Sequence, residues 1–185
     1  THHGVLAVPQ IKAAQPDLVI IAFGMNDSTH GLTTEQYYNN TMRIIDKIRE
    51  DNINSEFILV SSMVSNSEEA FDRDVHLHEY REALYSLEEA GAVVADMTGI
   101  HEALLTRKRY YDFTGNNINH PDDFLGRVYA QTLGFLLTDE GRKATWIVKV
   151  QCKKKPEAQL LGSAIGMKVV EDVPYITGMQ EWLGT

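Results

Sequence analysis

Two stretches of this sequence hold side chains whose type and spacing suit acid–base and oxyanion chemistry. The first is Gly24-Met25-Asn26-Asp27, which closes the apolar run Asp17–Phe23. An asparagine at such a point can aim its amide N–H at an oxygen that becomes negative during a reaction. The same four residues also read as a plain loop that caps the next turn. The second stretch is Asn116 to Gln131, NNINHPDDFLGRVYAQ. There His120 precedes Pro121 at the start of a helix, so its imidazole sits on a rigid turn. A histidine held this way suits general-base work, because its unperturbed pKa lies near neutrality. Asn117, three residues earlier, is within a turn's reach of the ring. The bland alternative has Asn119 or Asp122 capping the helix and His120 as an exposed turn residue.

The elements that position these residues follow from periodicity. Asp17 to Phe23 is short and rich in β-branched residues, the pattern of a strand buried on both faces. Gly4 to Gln15 places Val5, Leu6, Val8, Ile11 and Ala14 at helical spacing, with Pro9 near the first turn. Thr33 followed by Gln36 forms a capping box, opening a helix that runs to about Glu50. Glu56–Ser61 predicts a second buried strand, and Met63 to Asp72 a polar loop. Val75 to Ala90 is helical, with Gly91 as its C-cap. Ala92–Asp96 is a third strand, Thr98 to Lys108 a helix, and Asp122 to Leu137 the last clear helix. Alternation of strand and helix with short connections implies a parallel sheet with helices on both faces. Residues 1–137 therefore read as one α/β core. The segment 138–185 begins at the polar break Thr138-Asp139-Glu140-Gly141, contains one alternating run at Thr145–Gln151, and is otherwise weakly periodic.

Composition narrows the partners. The chain has 185 residues and a formal net charge of -9, which argues against nucleic acid or an anionic membrane as the main partner. The run Lys153-Lys154-Lys155 is too short to alter that. A single cysteine, Cys152, excludes an internal disulfide framework without fixing the compartment. No apolar run approaches membrane-spanning length. Thr1-His2-His3 reads as the interior of a longer sequence, so the lack of a leader carries no information.

Taken together, PDLVIIAFGMND and the later Asn-x-x-His-Pro turn with its amphipathic helix resemble the SGNH (GDSL-type) hydrolase family. The resemblance covers roughly Thr1 to Leu137. It implies a three-layer α/β/α sandwich with a parallel sheet, a serine-type carboxylic ester hydrolase, and no metal or organic cofactor. Carried onto this sequence, Asn26 matches the family's oxyanion-hole asparagine and His120 its catalytic base. The form HPDDFLGRVYAQ looks most like members acting on acetylated sugars, which implies a small-molecule or carbohydrate ester as substrate. Asn117 stands where the family usually has aspartate. An amide can hold a ring by hydrogen bonding but cannot stabilise imidazolium by charge.

The family's nucleophile block, a Gly-Asp-Ser turn after a first strand, does not precede Thr1. Within residues 138–185, however, Gln159–Gly166 reads QLLGSAIG, an apolar entry into Gly162-Ser163. Leu183-Gly184-Thr185 would join sensibly onto Thr1-His2-His3-Gly4. A circularly permuted enzyme, with Ser163 as nucleophile and Gly184 near the oxyanion hole, is one expectation. The others are an incomplete fragment with an unrelated tail, or a non-catalytic domain that binds carbohydrate or another ligand on the same scaffold. Lesser candidates are His76 and His78 with Asp72, Asp74 and Glu79, which lack an established metal-ligand spacing. His2 and His3 border the site as turn residues, Ser61 and Ser62 line a pocket, Cys152 packs in a strand, and Trp146 and Trp182 are core or lid residues.

Overall fold

The computed structural model describes residues 1–66, 76–139, 168–170 and 173–175. These divide into two compact units, Thr1–His120 and Pro121–Thr185.

The first unit is built on three parallel strands, β1 (Leu18–Ala22), β2 (Glu56–Val60) and β3 (Ala92–Ala95), in the order β1-β2-β3. Register is in step along the sheet: Ile21 sits beside Leu59, and Leu59 beside Val94. Helix α1 (His2–Ala14) precedes β1, and the short α2 (Met25–Thr29) and longer α3 (Thr34–Arg49) follow it. Between β2 and β3 lies α4 (Leu77–Ser86), continued by a 3-10 turn over Leu87–Ala90. Helix α5 (Met97–Leu105) follows β3, and a second 3-10 turn covers Tyr110–Asp112. This is the α/β alternation expected from the sequence.

One buried cluster joins Val8 of α1, Ile44, Ile45 and Ile48 of α3, and Leu77 and Leu84 of α4 to Ile21, Phe57, Leu59 and Val94 of the sheet. Its strand members alternate, as side chains on one face of a pleat must. β2 is flanked on both sides and buried from Phe57 to Val60, as expected. β1 departs from its expectation of burial on both faces. Among the described residues it pairs with β2 alone, and Ile20, on the face away from the cluster, is 47% exposed.

Local chemistry explains the boundaries. Thr33 accepts the Gln36 N–H through its hydroxyl while the Gln36 side chain accepts the Thr33 N–H, the reciprocal box that the sequence predicts. Gly91 ends the 3-10 turn at φ 79°, a conformation that glycine adopts without steric cost. Helix α1 starts two residues before its predicted start, which moves Pro9 from the first turn to the helix interior. Gly4 permits this helix to pack tightly: a Cβ there would lie 2.6 Å from Phe23 Cε2 and 2.8 Å from Ile44 Cδ1.

The second unit holds α6 (Asp123–Leu136), capped by Asp122, whose carboxylate accepts the Leu125 N–H at 2.9 Å. It also holds an antiparallel pair, β4 (Lys168–Val170) and β5 (Val173–Tyr175), in which Lys168 lies opposite Tyr175. The run Thr145–Gln151, expected to form a strand, lies outside the described residues.

Two polar features, a partly buried ion pair and a buried histidine, bear on stability. Arg81 of α4 forks the carboxylate of Asp96 at the end of β3, with Nε 2.9 Å from both oxygens and Nη2 2.7 Å from Oδ2. Asp96 Oδ1 also accepts the Gly99 N–H at 3.0 Å, starting α5. Removing the guanidinium would leave a buried charge without its counter-ion. Arg81→Ala is therefore expected to lower the unfolding free energy by about 3 kcal/mol, measured by urea denaturation. His101 of α5 is fully buried, edge-on to Tyr110 and Phe113 with ring centroids 5.4 Å away in each case. Burial pulls its pKa down from 6.5 to about 4, outweighing the opposing pull of Glu102 and the Val64 backbone. Between these two values the unfolded chain holds a proton that the folded chain does not, so stability falls as pH drops from about 6.5 to about 4. The expected loss is about 3 kcal/mol at most. Urea melts at pH 7 and pH 4.5 should show it, and His101→Leu should remove most of the difference; an equal loss in that variant would assign the effect to other groups.

Candidate active site

The loop that leaves β1 turns at Gly24, whose φ of 138° strains any L side chain. The polar residues after it are not an open loop. They form α2, a helix of five residues that periodicity is too short to reveal. Ser28 N–H donates to Gly24 O at 2.8 Å, His30 N–H to Asn26 O at 3.0 Å and Leu32 N–H to Asp27 O at 3.0 Å. This leaves Asn26 exposed, its side-chain amide without a hydrogen-bond partner among the described residues.

Asp27 does the opposite. Its buried carboxylate accepts from the Thr1 main-chain nitrogen at 2.6 and 2.7 Å and from the Thr1 hydroxyl at 3.1 Å. Asn40 of α3 donates in turn to that hydroxyl at 3.0 Å. Sequence reasoning assigned Asp27 no role. Its signal was the unbroken Asn26-Asp27 pair, of which Asp27 is tied to Thr1 while Asn26 is exposed.

The turn carrying His120 is organised by Asn116. Its Oδ1 accepts the N–H groups of Ile118, Asn119 and His120, each at 3.0 Å. Gly115 N–H closes the turn onto His120 O at 3.0 Å. The turn is also bound to the segment leaving β2. Asn66 donates its main-chain N–H to Ile118 O at 2.9 Å and its side-chain amide to Asn117 O at 3.0 Å. The Tyr110 hydroxyl lies 2.7 Å from Val64 O and 2.9 Å from Ile118 O, joining the same two segments. The His120 ring is exposed and has no hydrogen-bond partner among the described residues.

Asn117 differs from its expected contact. It adopts φ 56°, a left-handed conformation that asparagine tolerates, and no hydrogen bond joins its side chain to His120. The anchoring role falls to Asn116 and Asn66, which spacing relative to His120 alone does not single out.

The segment Ser61–Asn66 thus meets both candidate regions. Ser62 Cβ would lie 3.6 Å from a Cβ on Gly24, and Asn66 holds the His120 turn. Ser61 is structural: its hydroxyl accepts the Thr98 N–H at 3.0 Å and donates to Asp96 Oδ1 at 3.3 Å. His76 pairs with Glu79 at 3.0 Å and His78 with Glu102 at 2.6 Å, and no cluster of three metal-ligating side chains exists among the described residues. His2 and His3 lie in α1, exposed, rather than in a turn. Ser163, Gly184, Cys152, Trp146, Trp182, Asp72 and Asp74 lie outside the described residues.

No curated protein matches the chain. The crystal structure of a protein named as a GDSL-like lipase, from Parabacteroides merdae, superposes with a TM-score of 0.54 at 20% sequence identity. The match covers 66% of this chain and 62% of that one, so this chain spans less than two thirds of that protein's length. At this identity the likeness is one of fold, and it agrees with the three-layer α/β/α sandwich expected from the sequence. The profile of the GDSL-like lipase/acylhydrolase family matches residues 2–124, a range that includes both Asn26 and His120. On that match, over two polar blocks set at the carboxyl side of a parallel sheet, the chain belongs to the GDSL-like lipase/acylhydrolase family.

Proposed function

We propose that this chain hydrolyses carboxylic esters by a serine-type mechanism, with acetyl groups on carbohydrates as the substrate class. The observation that carries the reading is the pair of open side chains, Asn26 and His120. Each belongs to a segment braced against the exit of β2, and each ring or amide is left without a hydrogen-bond partner among the described residues. In this reading a serine hydroxyl attacks the ester carbonyl while His120 takes its proton. The Asn26 amide donates to the tetrahedral oxyanion. Collapse of the intermediate expels the alkoxide, which His120 protonates. Water, deprotonated by His120, then attacks the acyl-serine and releases the acid. No metal or organic cofactor takes part.

Ser163 is the proposed nucleophile and Gly184 a second contributor to the oxyanion hole, in a permuted arrangement. The family's usual aspartate is Asn117 here, so the base works as a dyad member without a carboxylate, on a turn fixed by Asn116 and Asn66. The absence of a hydrogen bond between Asn117 and the ring favours a second reading, a binding domain that keeps the scaffold without catalysis.

Labelling with a fluorophosphonate and mapping the adduct separates these. Adduct on Ser163, lost in His120→Ala, is the expected result. Adduct on another serine keeps the hydrolase and discards Ser163, and no adduct on the folded chain supports the binding domain. With an activated acetyl ester, Asn26→Ala is expected to lower kcat by roughly two to three orders of magnitude. Unchanged turnover would remove Asn26 from the oxyanion hole.

A further inference from the structure

The side chain of Asn26 has no partner to hold it, so its position depends wholly on the backbone of residues 24–32. Two tyrosines grip that backbone at its ends. Tyr37 of α3 donates its hydroxyl to Phe23 O at 3.0 Å, immediately before Gly24. Tyr80 of α4 donates its hydroxyl to Leu32 O, immediately before the α3 capping box. The two rings are themselves stacked, with centroids 4.1 Å apart and planes within 7°. Both side chains are about 2% exposed. Gly24 rests on the same pair: a Cβ there would lie 3.7 Å from Tyr37 Oη and 3.7 Å from Tyr80 Cδ2.

From this geometry we propose that the Tyr37–Tyr80 stack is a clamp that positions Asn26 for oxyanion binding, and that both tyrosines are positioning residues of the reaction. The proposal rests on Asn26 acting as the oxyanion donor. The stack makes the grip rigid, because neither hydroxyl can leave its carbonyl unless the ring slides over its neighbour. It also couples α3 and α4, so the loop is held from two helices rather than one. Burial and the charge of Asp27 push both phenols above their ordinary pKa, Tyr80 to about 12, so both remain donors across the working pH range. A donor in the oxyanion hole must sit within a few tenths of an ångström of its place, because hydrogen bonds weaken steeply with misalignment.

Tyr80→Phe and Tyr37→Phe test the clamp, since each keeps the ring and removes the hydroxyl. The first readout is amide hydrogen exchange of the full chain. The N–H groups of Ser28, His30 and Leu32, bonded within the loop, should exchange about fivefold faster in each variant while those of β2 are unchanged. Unchanged loop exchange in both variants and in the double variant would overturn the clamp. The second readout is acetyl ester hydrolysis: Tyr80→Phe should lower kcat about fivefold with KM unchanged, and should cost nothing further in the Asn26→Ala background. An equal loss in both backgrounds would show that Tyr80 acts through something other than Asn26 and would overturn its assigned role. If Asn26→Ala itself retains full kcat, the oxyanion reading falls instead, and the exchange rates still decide the clamp.

Discussion

Most of what this structure does at its carboxyl side depends on β2 being gripped from both edges. Among the described strands it alone has a hydrogen-bonded neighbour on each side, and its Phe57 to Val60 are buried. A strand so held cannot move independently, and neither can the chain that leaves it. Ser61 therefore receives the Thr98 N–H in a fixed place, Ser62 O accepts the Thr98 hydroxyl at 2.6 Å, and Asn66 reaches Asn117 and Ile118 from a stable base. The starts of α5 and of the His120 turn are both set by that one exit.

The two polar blocks are held by contrasting means. The block after β1 is fixed by hydrogen bonding and aromatic stacking: the Thr1 hydroxyl donates to buried Asp27, and the stacked tyrosines take the carbonyls at either end. The His120 block is fixed by amide side chains, with Asn116 inside the turn and Asn66 outside it. In both cases the residue suited to chemistry is left open while its neighbours are saturated. Saturation of the neighbours orders the backbone of each block, so the open side chain projects from a fixed turn.

The fold was largely legible because its signals are local. Short apolar runs between amphipathic helices, the Thr33–Gln36 box and Gly91 each report on a few neighbouring residues, and the three parallel strands and the longer helices lie within a few residues of their expected places, whereas the five-residue α2 and the β4–β5 pair were not foreseen. Around the two candidate blocks, the positions of the polar residues were legible and their contacts were not. Asn117 was the natural partner for His120 by spacing, yet a left-handed φ and the pull of Asn66 on its carbonyl give it a backbone role. Asn116, one residue away, organises the turn, and nothing in composition separates two adjacent asparagines.

By itself, the sequence determined the alternation of strand and helix, the polar blocks at Asn26 and His120, and family membership. These depend on periodicity, capping and motif, which are properties of contiguous residues. Only the tertiary structure decided that β1 takes one neighbour among the described strands, that Asp27 binds Thr1, that Arg81 finds Asp96, and that Tyr37 stacks on Tyr80. These pairs are separated by 15 to 43 positions in the sequence, counting from Arg81–Asp96 to Tyr37–Tyr80. No local propensity links such residues. They meet because burying the shared apolar face of α1, α3, α4 and the sheet leaves one arrangement in which the polar ends are also satisfied.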